Sequence, residues 1–187
     1  ITGDEQAFAA GADIKEMENA TPVDAFKRKN EDYYNTLTRF PKPVIAAING
    51  PALGGGLAFA ASCDILVASE TGCLGLPEIG VGLLGGGRHA QRLFGHSRLR
   101  RMMLTGHRVF GPELYRLGVV EACVPPEDLM NTATDLAREI AAKSPIATRL
   151  AKHALNQIEE LGLRDGYRYE QNKTTELSKY DDSREAM

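Results

Sequence analysis

Three consecutive glycines, Gly54, Gly55 and Gly56, stand in the stretch NGPALGGGLAFAAS (residues 49–62), against an apolar run of helical character. A glycine inside a helix costs about 0.5–1 kcal/mol relative to alanine, so the run does not serve stability. It serves close approach. At a helix start the unpaired backbone N–H groups carry partial positive charge, and glycine lets an oxygen reach them, either a phosphate or a developing oxyanion. A close helix contact or a tight turn would ask for the same residues. The second candidate is Glu78 in Pro77-Glu78-Ile79-Gly80, a lone carboxylate among Leu74, Leu76, Ile79 and Val81. On a surface loop it has no chemistry; partly buried, its pKa rises and it becomes fit to carry protons.

Gly80-Val81-Gly82-Leu83-Leu84-Gly85 matches the G-x-G-x-x-G of dinucleotide sites, a fingerprint that follows a strand and precedes an acid about 20 residues on. Here Leu76-Pro77-Glu78-Ile79 is a poor strand and no Asp or Glu lies between Ile79 and Pro112. A nucleotide site is therefore set aside. The same acid-free span carries Arg88, Arg92, Arg98, Arg100, Arg101 and Arg108, with His89, His96 and His107. Such a field can hold a phosphorylated ligand by charge-assisted contacts; otherwise it is a solvated helix face paired with acids from elsewhere in the fold.

The elements that must position these residues alternate. Ile1 to Asp4 reads as the end of a strand running into a turn, and residues 5–20 are rich in Ala and Gly. A long helix opens at Thr21, where Thr-Pro-Val-Asp supplies an N-cap, a proline at N1 and an early acid, and stops near Phe40 ahead of Pro41 and Pro43. Val44–Ile48 reads as a strand covered on both faces, Leu57–Ser62 as a buried helix, and Ile65–Ala68 and Cys73–Leu76 as short strands. Beyond Arg88 the pattern is mostly helical. Ser97 caps a helix to Leu104, Pro112–Leu117 forms a short one, and Val119–Val124 is a last strand. An amphipathic helix over Pro126–Ala142 follows, then one from Ser144-Pro145 to Leu161 with Gly162 as its stop, and a polar helix to about Tyr180. Short strands interleaved with helices make an α/β chain. Three closing helices with no strands to cover are suited to packing on another subunit.

With 187 residues, 43% of them hydrophobic and 25% charged, the chain is long enough for one sizeable core. A formal net charge of −3 gives no general attraction to nucleic acid or to an anionic membrane, and no apolar run approaches the length of a membrane span. Cys63, Cys73 and Cys123 lack metal spacing and sit in apolar segments, as reduced core thiols of the cytosol or a similar compartment do. Small-molecule chemistry in the cytoplasm is the expectation.

In order along the chain, the segments Ala7–Met17 (AFAAGADIKEM), Pro43–Gly50 (PVIAAING), Ala52–Gly56 (ALGGG), Cys63-Asp64-Ile65 and Pro77–Gly80 (PEIG) resemble the enoyl-CoA hydratase/isomerase, or crotonase, superfamily. The likeness continues through Gln91-Arg92-Leu93, Leu104-Thr105-Gly106 and Gly118-Val119-Val120, and so covers essentially the whole chain. It implies a crotonase-like fold of repeated ββα units over residues 1–125 and a helical trimerisation region over 126–187 of the same domain. It further implies a homotrimer or hexamer, an acyl-CoA substrate and no cofactor or metal beyond the substrate's own coenzyme A. The family's N-terminal strands would precede Ile1 and its last helix would run past Met187, so an organellar targeting segment stays open.

By the same resemblance, the backbone N–H groups of Ala12 and Gly55 form an oxyanion hole around the thioester carbonyl. Glu78 is the acid/base, and Ala10, Asp13, Ile14, Gly54, Pro77 and Gly86 line the substrate and CoA site. Each oxyanion donor of this kind is worth about 2.7–4 kcal/mol. Two departures bear on the reaction. Hydratases of the family carry a second acid where this chain has Ala58, and losing one general acid or base costs about 10²- to 10⁴-fold. One carboxylate still suffices to move a proton from the α- to the γ-carbon of a 3-enoyl thioester, which is double-bond isomerisation. Gly85-Gly86-Gly87-Arg88-His89 also departs from the family pattern, and Arg88 or His89 could enter the pocket or replace the absent acid. The expected activity is enoyl-CoA isomerisation or hydration; the alternative is an acyl-CoA-binding homologue without catalysis.

Overall fold

The computed structural model describes residues 1–11 and 30–180. Helix α1 (Asn30–Arg39) ends where Pro41 and Pro43 forbid its continuation. Strands β1 (Ile45–Ile48) and β2 (Pro51–Leu53) meet at the Asn49-Gly50 corner and lead into helix α2 (Gly55–Ala61). The pattern then repeats. β3 (Ile65–Ser69) and β4 (Cys73–Gly75) are followed by a 3-10 turn at Pro77–Val81, the short helix α3 (Gly87–Ala90) and α4 (His96–Thr105). After β5 (Arg108–Phe110), α5 (Gly111–Arg116) and β6 (Ala122–Val124) come three consecutive helices, α6 (Leu129–Ala141), α7 (Pro145–Ile158) and α8 (Leu163–Leu177).

Among the described residues the strands form two three-stranded sheets. β1, β3 and β6 run parallel in the order β1-β3-β6, with Ile45 opposite Ile65 and Val67 opposite Ala122. In the other, β2 and β4 are parallel and β5 closes antiparallel to β4. Side-chain alternation divides the first sheet: Ala46, Ile48, Leu66 and Ala68 enter the main core with Leu57, Leu74 and Met102, whereas Ala47 and Val67 face Leu129 and Ala133 of α6. This double cover is what the continuous apolar run over Val44–Ile48 requires. Before α1, the chain is stitched to both sheets, Thr2 bridging Ala47 and Ala9 bridging Ala52.

Several boundaries differ from the sequence reading for local reasons. β2 and β5 are too short to show a period of two. α2 begins at Gly55 rather than Leu57. α4 is capped by extended Gly95, whose carbonyl takes the Leu99 amide, so Ser97 sits inside the helix. Val119 and Val120 are buried but precede the ladder, which starts at Ala122. Gly162 is the N-cap of α8. Ser144 caps α7 as read, its hydroxyl accepting from the Ala147 amide at 3.2 Å. The helix start at Thr21 lies outside the described residues.

The end of α1 is held by α7. The last carbonyls of a helix have no partner further along it, and here the Phe40 amide answers Leu37 O at 3.2 Å while α7 supplies further donors. The buried Lys152 ammonium donates to Leu37 O at 3.0 Å, to Lys42 O at 3.1 Å and to Asp64 Oδ2 at 2.7 Å, and Asn156 donates to Thr38 O at 2.7 Å. Cys63 and Cys73 are buried and Cys123 half-buried, all unpaired; burial pushes the Cys63 thiol up to about 11. Among the described residues, no helix is long and apolar enough to cross a membrane.

Candidate active site

The three glycines answer to three different neighbours. Gly54 links β2 to α2 at φ 55°, ψ −114°, a backbone conformation that side chains disfavour, and its amide donates to Gly75 O at 2.9 Å. A Cβ at Gly54 would collide with Glu78 Oε1, and one at Gly56 would collide with the Ala9 carbonyl. Gly56 is thus a packing contact, while Gly54 makes room for the acid. Between them, Gly55 opens the helix. The first helical bond is from the Ala58 amide to Gly54 O at 3.1 Å, so the Gly55 amide has no carbonyl one turn behind it to engage. Gly11, at φ 88°, packs against Leu53 O and the Gly55 nitrogen. The segment that leads into Ala12 therefore passes beside the Gly55 amide.

Glu78 reaches this turn from the 3-10 segment, which Pro77 starts and Gly82, at φ 72°, terminates. The Leu83 amide donates to the Glu78 carbonyl at 3.0 Å, fixing the loop. Oε1 lies over Gly54 and close to Gly85. Oε2 is buried and receives no hydrogen bond from any described group. Burial raises the carboxyl above the ordinary range, a hydrogen bond to its own backbone amide offsetting part of the effect. A partly desolvated carboxylate with one oxygen unpartnered is suited to accept a proton from a weak carbon acid.

The remaining predicted positions divide. Gly86, at φ 69°, borders the same turn: a Cβ there would crowd Leu76 and stand 3.1 Å from Gly54 O. Pro77 adjoins Glu78, and Ala10 is exposed immediately before Gly11. Ala58 is buried one turn into α2. Ala12, Asp13 and Ile14 lie outside the described residues. Arg88 does not enter the site, because its guanidinium turns outward to Glu160 at 2.8 Å. Arg92 pairs with Glu159 at 2.7 Å and Arg98 with Glu113 at 2.6 Å, so these members of the arginine-rich span are answered by acids from distant elements. Among the described residues no cluster of three His, Cys, Asp or Glu could hold a metal ion.

Tyr34 was not signalled by the sequence. Its phenol donates to Gly55 O at 3.5 Å and its ring stacks at a tilt on His89, with centroids 4.7 Å apart. Burial first, then the Glu78 charge, raises the phenol above its usual range. Burial, with Arg92 and Arg88 beyond it, holds His89 below the usual imidazole range, so the ring is neutral at pH 7. On their far side, Tyr34 and His89 border a cleft of about 990 Å³ whose walls include Arg39, Arg149 and Lys152. A tyrosine within a polar helix shares no spacing with Glu78, and only the packing of α1 on α2 brings them together.

Comparison with known proteins follows the same lines. The sequence profile described as Enoyl-CoA hydratase/isomerase matches residues 1–187. The chain is 42% identical over 190 residues to a protein of Dictyostelium discoideum named "Probable enoyl-CoA hydratase, mitochondrial", covering 100% of this chain and 69% of that one. It is 35% identical to the short-chain-enoyl-CoA hydratase of Clostridium acetobutylicum, covering 98% of this chain and 72% of the relative. The crystal structure of enoyl-CoA hydratase from Bacillus anthracis superposes with a TM-score of 0.89 at 34% identity, over 98% of this chain and 73% of that one. That of the Thermoplasma volcanium enoyl-CoA hydratase gives 0.91 at 28% identity, over 100% and 76%. Whole-chain likeness in sequence joins the crotonase-like repetition of two strands and a helix, and this chain belongs to the enoyl-CoA hydratase/isomerase family.

Proposed function

We propose that this protein acts on acyl-CoA thioesters, its Gly55 and Ala12 amides holding the thioester oxygen and Glu78 moving protons at carbon. The observation that carries this reading is the Glu78 carboxyl seated on Gly54, one residue from the Gly55 amide, with Oε2 buried and unpartnered. With a 3-enoyl thioester, the carboxylate takes the α-proton and the C–H electron pair passes through the carbonyl carbon onto oxygen. The enolate re-forms its carbonyl as Glu78 returns the proton to the γ-carbon, and the double bond moves into conjugation. Backbone donors aimed at the developing oxyanion lower that barrier, and a carboxyl with raised pKa is better matched to the carbon acid. Ala10, Asp13, Ile14, Gly54, Pro77 and Gly86 are the proposed substrate and CoA contacts, and three or six chains the proposed assembly. Three unpaired cysteines suit a reducing compartment such as the cytoplasm.

Hydration of a 2-enoyl thioester is the second reading, favoured by relatives that carry the hydratase name. Supplying 2-enoyl-CoA and 3-enoyl-CoA separately and following thioester absorbance distinguishes the two. Deuterium wash-in at the α-carbon of a saturated acyl-CoA tests both together: an enzyme of this kind exchanges that proton, and a protein that binds acyl-CoA without exchange is a carrier only.

A further inference from the structure

With Ala58 where a second acid would stand, Glu78 is the carboxylate seated at this turn among the described residues, and adding water needs something else to hold the water. The wall that faces this turn from α1 supplies a phenol. Tyr34 Oη lies 3.5 Å from Gly55 O, the outer limit of a hydrogen bond. A helical carbonyl points toward the C-terminal end of its helix and its amide toward the N-terminal end, so the phenol and the Gly55 amide address opposite sides of that residue. Glu78 and Tyr34 therefore attend neighbouring glycines of one turn, the carboxyl at Gly54 and the phenol at Gly55. Burial and the Glu78 charge keep the phenol protonated at neutral pH. Its proton is directed to Gly55 O, which leaves its lone pairs to accept. The side chain is well placed to stay there: the ring leans on His89, and the carbonyls one turn further along α1 are tied to Lys152 and Asn156.

Resting on the Glu78 reading, the geometry points to Tyr34 as a second catalytic residue, one that accepts a hydrogen bond from the attacking water and so lets a one-carboxylate site hydrate 2-enoyl thioesters as well as isomerise 3-enoyl ones. Water gives one hydrogen bond to Glu78 and the other to Tyr34 Oη. Its oxygen bonds to the β-carbon while Glu78 takes the first proton and the π pair moves onto the thioester oxygen. Protonated Glu78 then delivers that proton to the α-carbon, yielding a 3-hydroxyacyl thioester and the original carboxylate. Tyr34 keeps its own proton throughout.

The test compares wild type, Tyr34→Phe and Glu78→Gln on 2-butenoyl- and 2-decenoyl-CoA for hydration, and on butanoyl- and decanoyl-CoA in heavy water for α-proton exchange. Tyr34→Phe, which keeps the ring on His89, is expected to lower the ratio of hydration to exchange by at least about 10-fold, the worth of a lost hydrogen bond to a poised group. Parallel losses in both assays, an unchanged ratio, or a wild type that exchanges without hydrating would each overturn the assignment of Tyr34. Failure of the Glu78 reading shows separately, as a Glu78→Gln variant that exchanges at the wild-type rate.

Discussion

At the scale of single residues, the seat of the Glu78 carboxyl on Gly54 makes two sharp expectations. Glu78→Gln lowers α-proton exchange about 10²- to 10⁴-fold, the usual worth of a general base, read by deuterium uptake. The carboxylate is the active form, so kcat/KM falls as pH drops through a pKa raised by burial, and the acid limb lies above the ordinary carboxylate range. Stability has the opposite sign: a raised folded-state pKa means that the charged form destabilises the fold above that pKa and the cost is relieved below it. Glu78→Gln therefore raises the melting temperature at neutral pH while lowering the exchange rate. Gly54→Ala pushes a methyl into Oε1 at a φ of 55°; it costs about 1–3 kcal/mol of backbone strain and displaces the acid, so denaturant melts and exchange rates should fall together. Gly54, Gly55 and Glu78 were singled out through the family resemblance, since a glycine run alone reads equally well as a helix contact or a tight turn, and a lone carboxylate as a surface loop. Tyr34 was not, since nothing in its neighbourhood within the sequence distinguishes it from a solvated helical tyrosine. Arg88 misled because an arginine's partner, here Glu160 far along the chain, leaves no mark beside it.

At the scale of elements, the clasp between α7 and the end of α1 is the contact whose loss is easiest to measure. Lys152→Met removes the ammonium from two backbone carbonyls and from Asp64, whose Oδ2 is left with the Val44 amide at 2.6 Å. Breaking one side of a buried pair costs about 3–5 kcal/mol, and the partial exposure of Asp64 places this variant near the lower figure in urea unfolding. A second tie joins α4 to α5: hydrogen bonds from Arg116, with Arg98 behind them, hold the Glu113 carboxyl down to about 2. Being depressed, it adds stability above the ordinary carboxylate pKa and loses it as pH falls toward 2, which a carboxyl ¹³C titration follows. Strongly patterned elements were read closely, β1 within one residue and α7 at its capped start, although α7 ends at Ile158, three residues short of Leu161. β2, β5 and α3 escaped because three or four residues show no period, and their form is dictated by pairing: Leu74 against Val109, Gly86 at φ 69° turning the chain into α3. A turn residue such as Ser97 reads as a cap until the glycine before it takes that place.

At the scale of the molecule, α7 and α8 leave Leu155, Leu163 and Tyr167 exposed, Leu163 to 93%. An apolar surface of this kind is expected to be covered in the proposed assembly: sedimentation should give three or six chains, and Leu155→Glu with Leu163→Glu should shift the population to single chains with helix content intact. The α/β class is legible in the sequence because strand and helix alternate locally, whereas the junction of α7 with α1 joins residues more than a hundred positions apart and has no local trace. That junction has a consequence for the order in which the protein matures. As the ribosome delivers the chain from its amino end, the glycine turn and Glu78 emerge while the helix bearing Tyr34 still has its terminal carbonyls in water; only when Lys152 and Asn156 have left the exit tunnel can that helix be locked. A nascent chain stalled before Lys152 would hold the acid and lack the settled wall that faces it, so turnover begins late in synthesis.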